Sequence, residues 1–225
     1  MEQQDILAGL NEPQLEAVTN PAPAVMVIAG AGSGKTRVLT RRISWLIDTG
    51  NLSPYAILAV TFTNKAAAEM RSRIEQQLNI STRGLWVGTF HGIAHRLLRM
   101  HWKEAELPEQ FQILDSDDQK RLVKRLIQAR ELDPAQWPPA QVQWWINSRK
   151  DEGLRASHID PQDDLYLVRM TELYRDYEAA CRRGGMVDFA ELLLRSNELW
   201  LQHPQLLDHY RQRFAHILVD EFQDT

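Results

Sequence analysis

The sequence predicts an α/β protein whose parallel sheet is interrupted by an inserted all-helical domain. Three observations lead there. The first ninety residues alternate short apolar runs with amphipathic helical periods. Residues from about 91 to 213 carry helical periodicity without a run of buried strands. A β-like apolar run, Ile217-Leu218-Val219, then returns near residue 225.

The elements follow in order. Val25-Met26-Val27-Ile28 reads as a buried strand. A helix from Lys35 to about Asp48 puts Leu39, Ile43, Leu46 and Ile47 on one face. Ile57 to Phe62 reads as a second strand, and the helix after it runs from about Lys65 to Leu78, with Asn64 as its expected cap. Leu85 to Thr89 reads as a third strand, which completes a βαβαβ order. Pro and Gly breaks at Pro108, Pro138-Pro139, Gly153, Pro161, Gly184-Gly185 and Pro204 divide the helical region. We therefore expect residues 1–89 to form the first part of the α/β domain and 90–214 the insertion. Residues 215–225 resume the α/β domain and leave its sheet incomplete.

Composition excludes several classes. The chain is 44% hydrophobic and 25% charged, as ordinary globular proteins are. No apolar run reaches the ~18 residues of a membrane span, and Met1 to Asp5 lacks a signal-peptide pattern. The single cysteine, Cys181, has no internal partner, which fits a reducing cytoplasm. A net charge of −4 gives no bulk attraction for nucleic acid. The main basic cluster, Lys120, Arg121, Lys124, Arg125 and Arg130, reads first as a solvated helix face, with Asp115 or Ser116 as the cap. Trp137, Trp144 and Trp145 read as packing residues of the helical region.

Ala29-Gly30-Ala31-Gly32-Ser33-Gly34-Lys35-Thr36 follows the first predicted strand and opens a helix, the context a phosphate loop requires. Glycines let backbone N–H groups converge on phosphate oxygens, and the helix N-terminus adds partial positive charge. In such a loop Lys35 reaches the β- and γ-phosphates, and the Thr36 hydroxyl ligates Mg²⁺. The first position is Ala29, where the strict pattern has Gly. A P-loop ATPase needs a second site, a strand ending in an acid. His216 to Val219 followed by Asp220-Glu221 supplies one. Asp220 would hold Mg²⁺ through its water shell, and Glu221 would act as general base toward the attacking water. Lys35 and Asp220 lie 185 positions apart. One or two βα units of ~30 residues do not fill that distance, so a whole domain is expected between them.

The motif set resembles the UvrD/Rep family of superfamily 1 DNA helicases. Leu10-Asn11-Glu12-Pro13-Gln14 looks like that family's glutamine motif, and Ala29 to Thr36 followed by Arg37 is similar to its P-loop. Val60 to Met70 and Gly88-Thr89-Phe90-His91-Gly92 resemble its two single-strand DNA motifs. Val187-Asp188-Phe189-Ala190-Glu191-Leu192-Leu193 resembles a signature near the end of the inserted domain, and Leu218 to Thr225 is similar to the acidic motif.

The resemblance implies a RecA-like motor domain that binds ATP and Mg²⁺. Gln14 would read the adenine, and Gln223 would couple nucleotide to DNA. It implies 3′-to-5′ translocation on single-stranded DNA, unwinding at single-strand/duplex junctions, and work in nucleotide excision and mismatch repair beside repair proteins. A monomer or weak dimer without a membrane partner is expected. The family's arginine fingers and second RecA-like domain have no counterpart in residues 1–225, so this stretch is expected to be an N-terminal portion that cannot unwind alone. Two other readings stay open: a non-catalytic nucleotide- or DNA-binding module, and the helicase subunit of a recombination nuclease.

The DNA residues have a physical reading of their own. Phe62 falls at the carboxyl end of a strand, where ligands bind in open α/β sheets, and an aromatic there can stack on a base. Thr63 and Asn64 can meet a phosphate at the next helix N-terminus, and Thr89 and His91 repeat the arrangement. By themselves Phe62 reads equally as a core aromatic and His91 as a cap or buried histidine. The resemblance favours DNA contact for both.

Overall fold

The structure is a computed structural model that describes residues 6–50 and 52–224. The Met1 to Asp5 start and Thr225, the last residue of the acidic motif, lie outside the described residues. The chain divides into two compact units, Met1–Ile93 with Gln205–Thr225, and Ala94–Pro204.

The first unit is built on a three-stranded parallel sheet. Its elements are α1 (Glu12–Thr19), α2 (Lys35–Thr49), β1 (Ile57–Thr61), α3 (Asn64–Leu78), β2 (Trp86–Thr89), the start of α4 (Phe90–Met100), most of α9 (Pro204–Arg213) and β5 (His216–Val219). The strand order is β2-β1-β5. Register pairs Ala59 with Val87 on one side and with Leu218 on the other. As the central strand, β1 buries Ile57, Ala59, Val60 and Thr61. Strands buried on both faces read as continuous apolar runs, which is how Ile57 to Val60 reads. Ile43 and Leu46 of α2 and Met70 and Ile74 of α3 pack with Ile57, Ala59, Val87 and Leu218 in one core. Trp86 meets Tyr210 and Phe214 edge-on, with ring centroids 5.5 and 5.4 Å away.

Two details differ from the sequence reading. The cap of α3 is Thr63, whose hydroxyl accepts from Ala66 N at 3.1 Å; Asn64 is the first helical residue. The larger difference is Val25 to Ile28, which pairs with no strand among the described residues and is exposed, Ile28 by 89%. Residues of Ala22 to Val27 and of His216 to Gln223 both line a groove of about 540 Å³. Without a ladder partner, an apolar run does not become a strand.

The second unit holds the rest of α4, β3 (Gln112–Leu114), α5 (Ser116–Ala129), α6 (Pro139–Asp151), α7 (Leu165–Gly184), β4 (Met186–Asp188) and α8 (Phe189–Gln202). Asp115 caps α5, accepting from Asp118 N at 2.8 Å. Val123, Ile127, Val142, Ile146, Leu173, Tyr174 and Tyr177 form its core. It is mainly helical but not all-helical. The strands β3 and β4 pair in parallel, Ile113 opposite Val187. Three residues carry too little alternation to announce a strand in a sequence. Lys120, Arg121, Lys124 and Arg125 are exposed on α5. Arg130 is instead bound to Glu172 and Asp176 of α7. Trp145 packs edge-on against Tyr174 at 6.2 Å and Trp137 stacks on Tyr166 at 5.1 Å, whereas Trp144 stands 69% exposed. Cys181 is buried, and burial pushes its thiol up to about 11, which makes it inert rather than reactive.

Between α6, α7 and α8 lies a buried ionic network. Lys150 Nζ is 2.6 Å from Asp188 Oδ2 and 3.0 Å from Glu191 Oε2. Tyr177 donates its hydroxyl to Asp188 at 2.6 Å. Arg155 grips Glu191 with two bonds of 2.8 Å and also binds Glu198. Burial alone would raise the Glu191 carboxyl, but Lys150 and Arg155 outweigh it and hold the group far below the ordinary carboxylate range.

Candidate functional site

The loop Ala29 to Gly34 opens α2, with Gly34 as its N-cap in a left-handed conformation, φ 89°. Gly32 is also left-handed, φ 76°. Only residues without Cβ take such angles freely, which is why the sequence spends glycines here. Lys35 folds back over the loop, its Nζ donating to Ala29 O at 3.0 Å and Gly30 O at 3.2 Å. The Ser33 hydroxyl donates to Gly30 O at 2.7 Å. Ala31 lies between them at the exposed crest of the loop.

Gln14 is tied to this loop. It stands in a capping box with Asn11, its backbone N–H donating to Asn11 Oδ1 at 3.0 Å while its own Oε1 accepts from Asn11 N at 3.2 Å. The other end of its amide donates to Ser33 O at 3.0 Å. A Cβ on Gly34 would come within 3.1 Å of Gln14 Nε2. Asn11 therefore fixes Gln14, a supporting role the sequence reading did not assign it. The spacing Asn-x-x-Gln was the available signal. Arg37 follows in the first turn of α2 and is exposed.

The acidic strand end reaches the same place. Asp220 is 5% exposed, and its backbone N–H donates to Val60 O at 2.8 Å, extending the β5–β1 ladder. The Thr36 hydroxyl donates to Asp220 Oδ2 at 3.1 Å. Two hard oxygen donors thus sit side by side at the mouth of the loop. That donor set suits Mg²⁺, which takes one or two protein oxygens and keeps waters and phosphate oxygens for the rest. Among the described residues, no group of three or more His, Cys, Asp and Glu is arranged to hold a metal by itself. Glu221 takes a left-handed conformation, φ 53°, at the strand end, and Gln223 hydrogen-bonds its carboxylate.

The remaining site residues gather at the carboxyl ends of β1 and β2, where Thr61 pairs with Thr89 in register. Phe62 is 44% exposed. Thr63 caps α3, Asn64 opens it, and both are exposed, whereas Thr89 and His91 are half-buried. Thr89 Oγ1 accepts from Gly92 N at 3.1 Å. Phe62 meets Phe90 edge-on at 5.8 Å. Phe90 was visible in the sequence only as a motif residue, and its part in orienting Phe62 emerges from the neighbouring strand register.

The site brings a glycine-rich loop beside an acidic strand end, with an exposed aromatic at the carboxyl edge of the same sheet. A family model, UvrD/REP helicase N-terminal domain, matches residues 10–225, and the chain belongs to that family. It is 60% identical over 220 residues to DNA helicase II of Escherichia coli, which covers 98% of this chain and 31% of that protein. It is 53% identical to DNA helicase II of Haemophilus influenzae over 229 residues, all of this chain and 32% of the relative. It is 37% identical to the ATP-dependent DNA helicase PcrA of Bacillus subtilis over 221 residues, 98% of this chain and 30% of that one. The chain thus spans about a third of the length of these relatives. Among the described residues, no helix is long and apolar enough to cross a membrane.

Proposed function

We propose that this chain is the ATP-binding part of a 3′-to-5′ DNA helicase that moves on single-stranded DNA and opens junctions during excision and mismatch repair. The domain plan that goes with it is RecA-like, with residues 90–214 as the insertion. The observation that carries the reading is the hydrogen bond from Thr36 to Asp220, which joins the phosphate loop to the acidic strand end. In this reading Ala29 to Thr36 cradle the phosphates, with Lys35 as the mobile cation. Thr36 and Asp220 hold Mg²⁺, and the bound ion neutralises phosphate charge. Glu221 takes a proton from the attacking water, and Gln223, hydrogen-bonded to it, couples that base to DNA. Gln14 and Arg37 flank the nucleotide. Phe62 stacks on a base while Thr63, Asn64, Thr89 and His91 meet the strand. Its place is the cytoplasm, with repair proteins as partners and a monomer or weak dimer as the working form.

For residues 1–225 alone we propose weak nucleotide binding without unwinding. The unpaired Val25 to Ile28 and the open edge of β5 favour this, because the phosphate loop then hangs on an unsupported segment. One experiment tests both readings: ATP hydrolysis and strand displacement on a 3′-tailed duplex, for the full-length protein and for residues 1–225. A full-length protein that hydrolyses no ATP in the presence of single-stranded DNA overturns the first. Unwinding by residues 1–225 overturns the second.

A further inference from the structure

The second unit carries an aromatic patch at the edge of its core: Trp137 packs against that core, and its neighbours Trp144 and Tyr166 stand exposed. Trp137 and Tyr166 stack nearly parallel, 5.1 Å apart at 13°. Gln141 Nε2 reaches the Tyr166 hydroxyl at 3.4 Å. Trp144, one turn further along the same face of α6, is 69% exposed, and Leu165 beside Tyr166 is 82% exposed. Trp145 turns inward to Tyr174, so packing accounts for one member of the Trp144-Trp145 pair and not the other. Exposed clusters of large apolar side chains mark interaction sites, and Trp and Tyr dominate the anchors of such sites.

Charge decides what the patch takes. The two segments that supply its rim, residues 131–138 and 159–168, contain Glu131, Asp133, Asp160, Asp163 and Asp164 and no Lys or Arg. All five acids are exposed. The nearest cations in the chain are already neutralised. Arg130 binds Glu172 and Asp176, Arg169 binds Glu172 at 2.8 Å, and Arg149 binds Glu152 at 2.6 Å. Asp133, Asp160 and Asp164 each accept backbone N–H groups, but a nucleic acid strand would still place its phosphates against five carboxylates. A second copy of the chain, meeting the patch with the same patch, would oppose those carboxylates to themselves.

We propose that the Trp137–Trp144–Tyr166 patch docks a basic protein segment, one that sets a bulky apolar side chain on the aromatics and Lys or Arg side chains on the acidic rim. This reading is independent of the site on the first unit.

The test uses the 225-residue chain and fluorescence anisotropy. The probe is a labelled sixteen-residue amphipathic peptide with leucines at helical spacing and lysines elsewhere. Its controls are a twin with glutamate for every lysine and a labelled oligothymidine of similar length. We expect the basic peptide to bind and the acidic twin not to. Trp144→Ala should weaken binding at least tenfold. Asp163→Lys, at an exposed position outside the core, should weaken it at least threefold and more at low salt. Unchanged affinity in both variants overturns the proposal. Equal binding of the acidic twin shows mere apolar adhesion and overturns it too. So does oligothymidine binding that falls in Trp144→Ala, or self-association that this substitution abolishes.

Discussion

Thr36 and Asp220 stand 184 positions apart in the chain, yet the hydroxyl of one donates to the carboxylate of the other at 3.1 Å. The contact depends on two separate anchors. Thr36 is fixed by the first turn of α2, whose Val38 N–H donates to Gly34 O at 2.9 Å. Asp220 is fixed by its ladder bond to Val60. The predictions about the first unit follow from this pair and its neighbours.

The Lys35 ammonium donates to the Ala29 and Gly30 carbonyls of its own loop. In the full-length protein, Lys35→Ala should reduce steady-state ATP hydrolysis about 100- to 1000-fold, the loss typical of a preorganised group aimed at developing charge. Its circular dichroism and melting curve should match wild type. A rate near wild type would falsify the phosphate-loop assignment.

The adjacent acids should part company. Glu221→Gln should keep Mg-dependent ATP binding and slow hydrolysis by about 10²–10⁴-fold, as expected for loss of a general base. Asp220→Asn should in addition shift the Mg²⁺ requirement to higher concentration. Nucleotide titrations at several Mg²⁺ concentrations distinguish the two, and identical behaviour of both variants is the result that contradicts the division of labour.

Phe62 is held by Phe90 and half-open to solvent. Phe62→Ala should cost about 1–3 kcal/mol of single-strand affinity, roughly a 5- to 150-fold rise in Kd, with little dependence on base sequence. Phe62→Trp should retain most of the affinity. If both substitutions act alike, Phe62 serves packing and does not stack on DNA.

Lys150 is the cation at the centre of the second unit's network, 2% exposed between Asp188 and Glu191. Lys150→Met leaves two buried carboxylates facing one another and should destabilise the unit by about 3–5 kcal/mol in urea unfolding. Pairing it with Asp188→Asn should recover part of the loss, because the change then removes both members of one pair.

Glu191 gives the network a pH signature. Its carboxyl lies below the ordinary value of 4.5 in the folded chain, because Lys150 and Arg155 override its burial. A group depressed in the folded state contributes stability that is complete above its unfolded pKa and lost as pH falls toward the folded one. Stability should therefore decline from about pH 5 downward, and Glu191→Gln should flatten that slope while lowering stability at neutral pH. Urea midpoints at pH 7, 5, 4 and 3 provide the check.

How much of this was legible in the sequence depends on the range of the signal. The α2 and α3 helices and the β1 strand were readable because their apolar periods are local, as with Ile43 and Leu46 or Met70 and Ile74. The loop was readable because its glycines meet a backbone need. Val25 to Ile28 has the composition of a strand, but strand formation depends on a partner, and composition is silent about partners. The β3–β4 pair was missed because three residues do not make a period. The ionic network was out of reach because Lys150, Arg155, Glu191 and Glu198 belong to separate elements, and each alone looks like a surface charge.

The sheet order has a consequence for synthesis. The central strand β1 is complete at residue 61, while its neighbour β5 begins only at residue 216, so 154 residues intervene. At about 5–20 residues per second, the ribosome adds them in roughly 8–30 s. During that interval one edge of β1, with Ala59 and Val60, waits without its partner strand. Meanwhile Ala94–Pro204, whose core residues all lie within that stretch, emerges whole and can pack first. The order of emergence thus makes the nascent first unit, not the second, the natural client of a chaperone. Slowing translation after residue 93 should lengthen its exposure to aggregation.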